Sequence, residues 1–131
     1  MTAALPACPC GSGAGYAACC GPLHDGVPAD SAARLMRSRY SAYVLENEAY
    51  LLASWHADTR PSALGLAAQR PAPRWLGLQI RGEQVLDERH AAVEFVARYR
   101  VGGGRAQRQR ERSRFVREQG RWYYLDGESV D

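Results

Sequence analysis

Lysine is missing: all 17 basic residues of the 131-residue chain are Arg. With abundant Ala, Gly and Pro, this marks a GC-rich coding sequence, so part of the Arg content is codon bias and not a nucleic-acid footprint. Missing too is any apolar run of 18 residues, and the mean hydropathy is -0.42, which excludes a membrane-spanning helix. Residues Met1 to Gly11 have neither a basic n-region nor an apolar h-region, so no secretory signal is expected. At 46% hydrophobic and 24% charged residues the composition is globular, not disordered or collagen-like. The expectation is a small, soluble, cytoplasmic protein with one domain and at most a small appendage.

Two further gaps are positional. Residues 1–33 contain no Arg and only Asp25 and Asp30 as acids, whereas residues 105–121 hold seven Arg against Glu111 and Glu118. Basic character therefore belongs to the C-terminal half. Cysteine is absent from the 111 residues after Cys20; Cys8, Cys10, Cys19 and Cys20 all fall inside 13 residues. Scattered core cysteines would not cluster in this way. A disulfide framework is opposed by the adjacent Cys19-Cys20 pair and by a reducing compartment. A thiol-redox site would more often show C-x-x-C ahead of a helix.

A metal site explains the pattern better. In Cys8-Pro9-Cys10-Gly11-Ser12-Gly13, Pro9 stiffens the chain while Gly11 and Gly13 permit positive φ, so two sulfurs can face one centre. Tyr16 to Cys20 reads as one helical turn that delivers the second pair, stopped by Gly21-Pro22. Four thiolates at about 2.3 Å form a closed tetrahedral site with no open position, the structural kind of zinc. His24 is either a substitute ligand or an ordinary surface histidine.

The run C-P-C-G-S-G-x-x-Y-x-x-C-C-G-P resembles the SEC-C motif, a zinc knuckle found at the end of the protein-export ATPase SecA. Downstream, Leu35 to Tyr43, Tyr50-Leu51, Trp55-His56, Val93-Glu94-Phe95, Glu111 to Phe115 and Arg121 to Gly127 continue the match. Together they resemble the YchJ-like family, which pairs the knuckle with a domain similar to nuclear transport factor 2 (NTF2). The resemblance implies one structural zinc and an NTF2-like cone, with a knuckle over residues 1–28 and the cone over 29–131. It implies no activity. The stretch between the cysteine pairs, Ala14 to Ala18, lacks the Lys or Arg that such knuckles often carry. With a formal charge of -2 and no basic side chain nearby, a phosphate grip by the knuckle is disfavoured and protein docking favoured.

Asp30 or Ser31 is a good N-cap for a helix from Ala32. Met36, Tyr40, Tyr43, Val44, Asn47, Tyr50 and Leu51 form a core-facing stripe through Leu52, with a bend near Glu46-Asn47 and with Arg37 and Arg39 on opposite flanks. Residues 57–73 read as loop. Four strand-like runs follow: Trp75–Arg81, with Leu76, Leu78 and Ile80 on one face, then Ala91–Val101, Arg105–Arg117 and Arg121–Asp126. Helices followed by an antiparallel meander mean an α+β fold, a curved sheet over its helices. The knuckle is expected to need metal for order, and the larger domain to fold without it.

Period 2 puts Arg108, Arg110, Arg112 and Arg114 on one strand face, opposite Glu111, Ser113 and Phe115. These arginines are a solvated outer face, an anion-binding stripe for RNA or an acidic protein, or cross-strand partners of Glu94 or Asp87. Candidates for lining the cone pocket are Arg37, Tyr40, His56, Glu111, Ser113, Trp122 and Asp126. An enzyme would use His56 or Asp126 as acid–base residue, with Arg37 holding an anion. Isolated histidines and the lack of any nucleophile–base spacing favour a non-catalytic adaptor. In that reading the knuckle docks a protein partner, ribosome- or export-associated, and the cone or its Arg face engages a second partner, RNA included.

Overall fold

The computed structural model describes residues 7–130. The leader reading rests mainly on residues 1–6, which lie outside the described residues. Ser31 opens helix α2, its Oγ accepting from the Arg34 N–H at 3.1 Å; α2 spans Ala32–Val44. It follows a 3₁₀ turn at Tyr16–Ala18 and a short helix α1, Cys20–His24. Contrary to expectation, Gly21-Pro22 does not stop the knuckle helix but sits inside α1. Proline is tolerated there because a first-turn residue needs no intrahelical N–H bond. The expected bend becomes a break: Glu46 takes φ of 54°, and Asn47 caps a separate α3, Glu48–Ala53, by accepting from the Tyr50 N–H. No described helix is long and apolar enough to cross a membrane.

Strands β1 (Pro73–Val85), β2 (His90–Val101), β3 (Gln107–Glu118) and β4 (Arg121–Ser129) pair in the order β1-β2-β3-β4, all antiparallel. Gln119 and Gly120 both have positive φ, at 52° and 76°, the geometry of a two-residue turn that matches strand twist. Of the three register shifts in the sheet, at Trp75/Gly77, Ile80/Gly82 and Arg114/Phe115, the first and the last decide what faces the helices. In β1 the register shifts between Trp75 and Gly77, so Trp75, Leu78 and Ile80 pack on the core while Leu76 is left exposed. Strict alternation assigned Leu76 inward; the extra residue turned it out. In β4 the extra residue is Leu125, since Arg114 faces Asp126 and Phe115 faces Tyr124. Trp122 and Tyr124 point inward, and the bulge sends Asp126 to the outer face.

The core is a single cluster. Leu35, Met36 and Tyr40 of α2 pack with Val93, Phe95, Phe115 and Trp122 of the sheet, and the same cluster contains Cys8, Cys10, Cys19, Cys20 and Leu23. The knuckle thus packs into the same cluster as the helix and the sheet. Eight of the thirteen residues of α2 are buried, more than one amphipathic face supplies, because the sheet covers one side and the knuckle another.

Candidate metal centre and cavity

The knuckle closes on itself through the Cys8 N–H donating to the Ala14 carbonyl at 2.9 Å, with Gly11 and Gly13 at φ of 80° and 90°. This brings the four sulfurs within 4.8 Å of one another, all buried. Cys10 Sγ and Cys19 Sγ are 3.6 Å apart. A disulfide needs about 2.05 Å, whereas the edge of a tetrahedron with metal–sulfur bonds of 2.3 Å is about 3.8 Å. Four buried sulfurs at that spacing fit a metal ion. Hydrogen bonding from the Cys20 thiol holds the Cys10 thiol down to about 4; the same contact, with burial, pushes Cys20 up.

Helix α2 presents a different face to each side. Positions 34, 37, 38 and 41 meet the knuckle. Arg34 Nη2 donates to the Cys19 carbonyl at 2.8 Å and Arg37 Nη1 to the Cys10 carbonyl at 3.1 Å. The expected lack of basic side chains near the cluster is corrected here, since both arginines arrive by tertiary contact and not from residues 14–18. Ser41, fully buried, donates to Cys20 Sγ at 3.3 Å and lies 3.5 Å from Cys8 Sγ. His24 is neither ligand nor free surface residue. Its Nδ1 pairs with the Tyr16 hydroxyl at 2.6 Å and its Nε2 with the Ser38 carbonyl at 2.8 Å, tying α1 to α2.

Hydrogen bonds to ligating sulfur orient the ligands and tune metal affinity, with a typical cost of 10–100-fold on removal. Ser41→Ala is therefore expected to weaken metal binding about 10-fold in competition with a chromophoric chelator, with the far-UV spectrum unchanged. Unaltered affinity would show that Ser41 only fills space.

Positions 36, 39, 40 and 43 of α2 face a cavity of about 360 Å³ against the sheet. Tyr40, Glu111 and Ser113 line it as the sequence suggested; Arg37, Trp122, His56 and Asp126 do not. Arg37 is turned to the knuckle. Trp122 lines a second cavity, of about 310 Å³, beside α1 and α3. His56 accepts the Asp58 N–H at Nδ1 and meets Glu118 of β3 from Nε2 at 2.9 Å, while its backbone N–H donates to the Tyr124 carbonyl of β4 at 2.7 Å; among the described residues its ring caps no carbonyl. Asp126 is paired with Arg114 on the outer face, and that partner holds its carboxyl below the usual range. The two candidate acid–base residues do not converge.

At the cavity, the charged residue that sequence reasoning missed is Arg39. It is 3% exposed, and Nη1 donates to the Leu51 carbonyl at 2.8 Å and to Ser54 Oγ at 2.6 Å. Its guanidinium lies 4.4 Å from the centroid of Tyr124 and 5.1 Å from that of Trp55. Spacing from Met36, Tyr40 and Tyr43 on the helical stripe was the available signal.

A four-cysteine clasp fused to a helix-backed antiparallel sheet defines a SEC-C knuckle on an NTF2-like domain. The SEC-C motif model matches residues 7–22, and the model of the YchJ middle NTF2-like domain matches residues 31–127; the chain belongs to the YchJ-like family. A UPF0225 protein of Polaromonas naphthalenivorans is 60% identical, over 86% of this chain and 81% of that protein. A UPF0225 protein of Ralstonia nicotianae is 54% identical, over 98% and 99% respectively. The solution structure of a SEC-C motif-containing protein from Rhodopseudomonas palustris superposes with a TM-score of 0.84 at 39% identity, covering 95% of this chain and 98% of that one.

Proposed function

We propose that this metal-binding protein is a non-catalytic adaptor of the cytoplasm, stapled by one zinc ion, whose outer sheet face grips RNA. A closed set of four thiolates leaves no open coordination position for chemistry, which supports a structural zinc, and reduced thiols suit that compartment. The observation that carries the reading is a cluster of exposed arginines at one end of the sheet. Arg74 lies directly across from Arg100, and Arg98 from Arg108. All four are exposed, and among the described residues none is within 4 Å of a carboxylate.

Like charges directly opposed across strands destabilise a sheet unless an anion sits between them. Of the arginines that the period-2 pattern singled out, Arg110 and Arg114 are already paired with Glu94 and Asp126, and Arg112 donates to Gln84. Arg108 keeps its charge free, beside a shallow trough lined by Gly77, Gln79, Val96 and Arg98. A phosphate backbone has the charge spacing to answer such a patch. The exposed knuckle tip, Gly11 to Ala14, is uncharged and small, which suits docking to a protein, of the ribosome or export machinery, better than to phosphate.

The test is the salt dependence of binding to a single-stranded RNA. Each lost phosphate contact lowers the slope of log K against log salt by about 0.7. Replacing Arg98 and Arg108 with Ser should flatten it by about 1.4, while Arg89→Ser, in the β1–β2 turn, should leave it unchanged. Equal flattening by Arg89→Ser would reduce the effect to net charge. Absence of binding at low salt would remove the RNA role.

A further inference from the structure

The cavity between α2 and the sheet carries a second assignment, independent of the outer face. Its walls are aromatic: Tyr40, Tyr43, Trp75, Tyr99 and Tyr124 contribute rings. Two opposite charges are set into them, and neither has an ionic partner. Arg39 comes from the helix side, with no carboxylate within 4 Å among the described residues; Glu111 comes from β3, with no Arg or His nitrogen within that distance. Two hydrogen bonds of Arg39 leave from Nη1 and a further one reaches Tyr43 in the cavity wall, which leaves part of the five-donor guanidinium unused. Glu111 Oε1 accepts from Gln109 at 2.5 Å, and Oε2 is left to accept.

A buried cation is costly without a counter-charge. Part of that cost is offset by the faces of Tyr124 and Trp55, which explains why Arg39 is tolerated but not why Glu111 shares the cavity. A simple organic anion would satisfy Arg39 and be repelled by Glu111. A simple cation would meet the reverse. A molecule carrying both charges and an apolar body satisfies every wall. About 360 Å³ lies at the small end of ligand cavities, which run from about 300 Å³.

We propose that this cavity binds a small aromatic zwitterion of the α-amino acid type, its carboxylate on Arg39, its ammonium on Glu111 and its ring among the cavity aromatics. The site binds without reaction, since no paired acid and base lines it.

The test follows the amide and side-chain NMR signals of the full-length metal-loaded protein during titration with L-tryptophan. Indole-3-propionate, which lacks the ammonium, and tryptamine, which lacks the carboxylate, serve as matched probes. The expected result is saturable shifts at Phe95, Tyr99 and Ser113, with L-tryptophan binding at least about 10-fold tighter than either analogue, a factor typical of one charge-assisted hydrogen bond. Glu111→Gln should erase the preference over indole-3-propionate while leaving that probe's own affinity equal or higher. Because Arg39 also clips α3, Arg39→Lys is assayed only where its spectrum keeps the native dispersion, and it should weaken L-tryptophan and indole-3-propionate but not tryptamine. No saturable shift with L-tryptophan up to about 20 mM, well above the millimolar affinity that a few kcal/mol of binding free energy supplies, overturns the proposal. So does equal binding of all three probes, or a Glu111→Gln protein that still prefers L-tryptophan.

Discussion

Removing the metal is expected to destabilise the whole chain by more than about 4 kcal/mol, the scale on which loss of a structural metal acts. At this chain length that lowers the melting temperature by roughly 15 °C. The reason lies in α2. Ala32, Ser38, Ser41 and Ala42 are fully buried, on top of the residues that face the sheet, and the knuckle contributes to that cover. Without metal, four thiolates converging in a buried site repel one another, and the clasp must open or take up protons. Opening breaks the bonds from Arg34, Arg37 and His24 and uncovers Leu23 and Leu35.

Chelation followed by amide NMR checks this residue by residue. Dispersion should fall at Val93 and Phe115 in the sheet as well as at the cysteines, and a Cys20→Ser variant should melt at the chelated temperature. Loss confined to residues before about 28 would instead show that α2 keeps its packing with the knuckle gone. The sequence supported that second outcome, because four patterned strands and an amphipathic helix look sufficient for independent folding. What it could not reveal is that α2 is shared.

That example shows which level of structure was legible. The cysteine cluster, the Ser31 cap, the four strands and the Gln119-Gly120 turn are local: spacing, capping chemistry and period 2 act within a few residues, so the sequence expresses them directly. Where reading failed, a single-residue event moved a side chain to another face. One extra residue at Leu125 carries Asp126 away from Trp122 and Tyr124, and one at Leu76 exposes a leucine that alternation buries. Nothing in the sequence marks the bulge at Leu125, whereas Gly77, directly after Leu76, is the kind of strand-interior glycine that signals one and that strict alternation overlooks. The other failures were tertiary. Arg34 and Arg37 reach knuckle carbonyls 15 and 27 residues away, so a count of charges between Cys10 and Cys19 could not register them. Helical spacing does place 34, 37 and 41 on one line and 36, 40 and 43 on another. Both lines were present in the sequence; only the second is apolar enough to be noticed.

Gly21→Ala gives the second large effect, and its sign separates two accounts of this glycine. As a residue inside α1 with ordinary φ, Gly21 should be improved by Ala, which is favoured in helices by about 1 kcal/mol. The structure reverses that expectation. A Cβ on Gly21 would stand 2.8 Å from the Tyr16 carbonyl oxygen and 3.2 Å from the Tyr16 ring, closer than such atoms tolerate. Neither can step aside freely: the carbonyl accepts from the Cys19 N–H at 3.0 Å, and the ring is anchored through its hydroxyl to His24. Relief must come from the backbone at Cys19 and Cys20, which displaces two of the four sulfurs. Overpacking of this kind costs about 1–3 kcal/mol, and displaced ligands should lower metal affinity by about 100-fold, the upper range for disturbed ligand orientation. Gly103→Ala, in a turn with nothing within 4 Å of the added carbon, should stay within about 0.5 kcal/mol of wild type. Thermal melts of the two variants beside a chelator competition decide the matter. A Gly21→Ala protein that melts higher and holds its metal as tightly would show that the 3₁₀ turn yields, and that the close approach of Tyr16 to Gly21 does not set the geometry of the clasp.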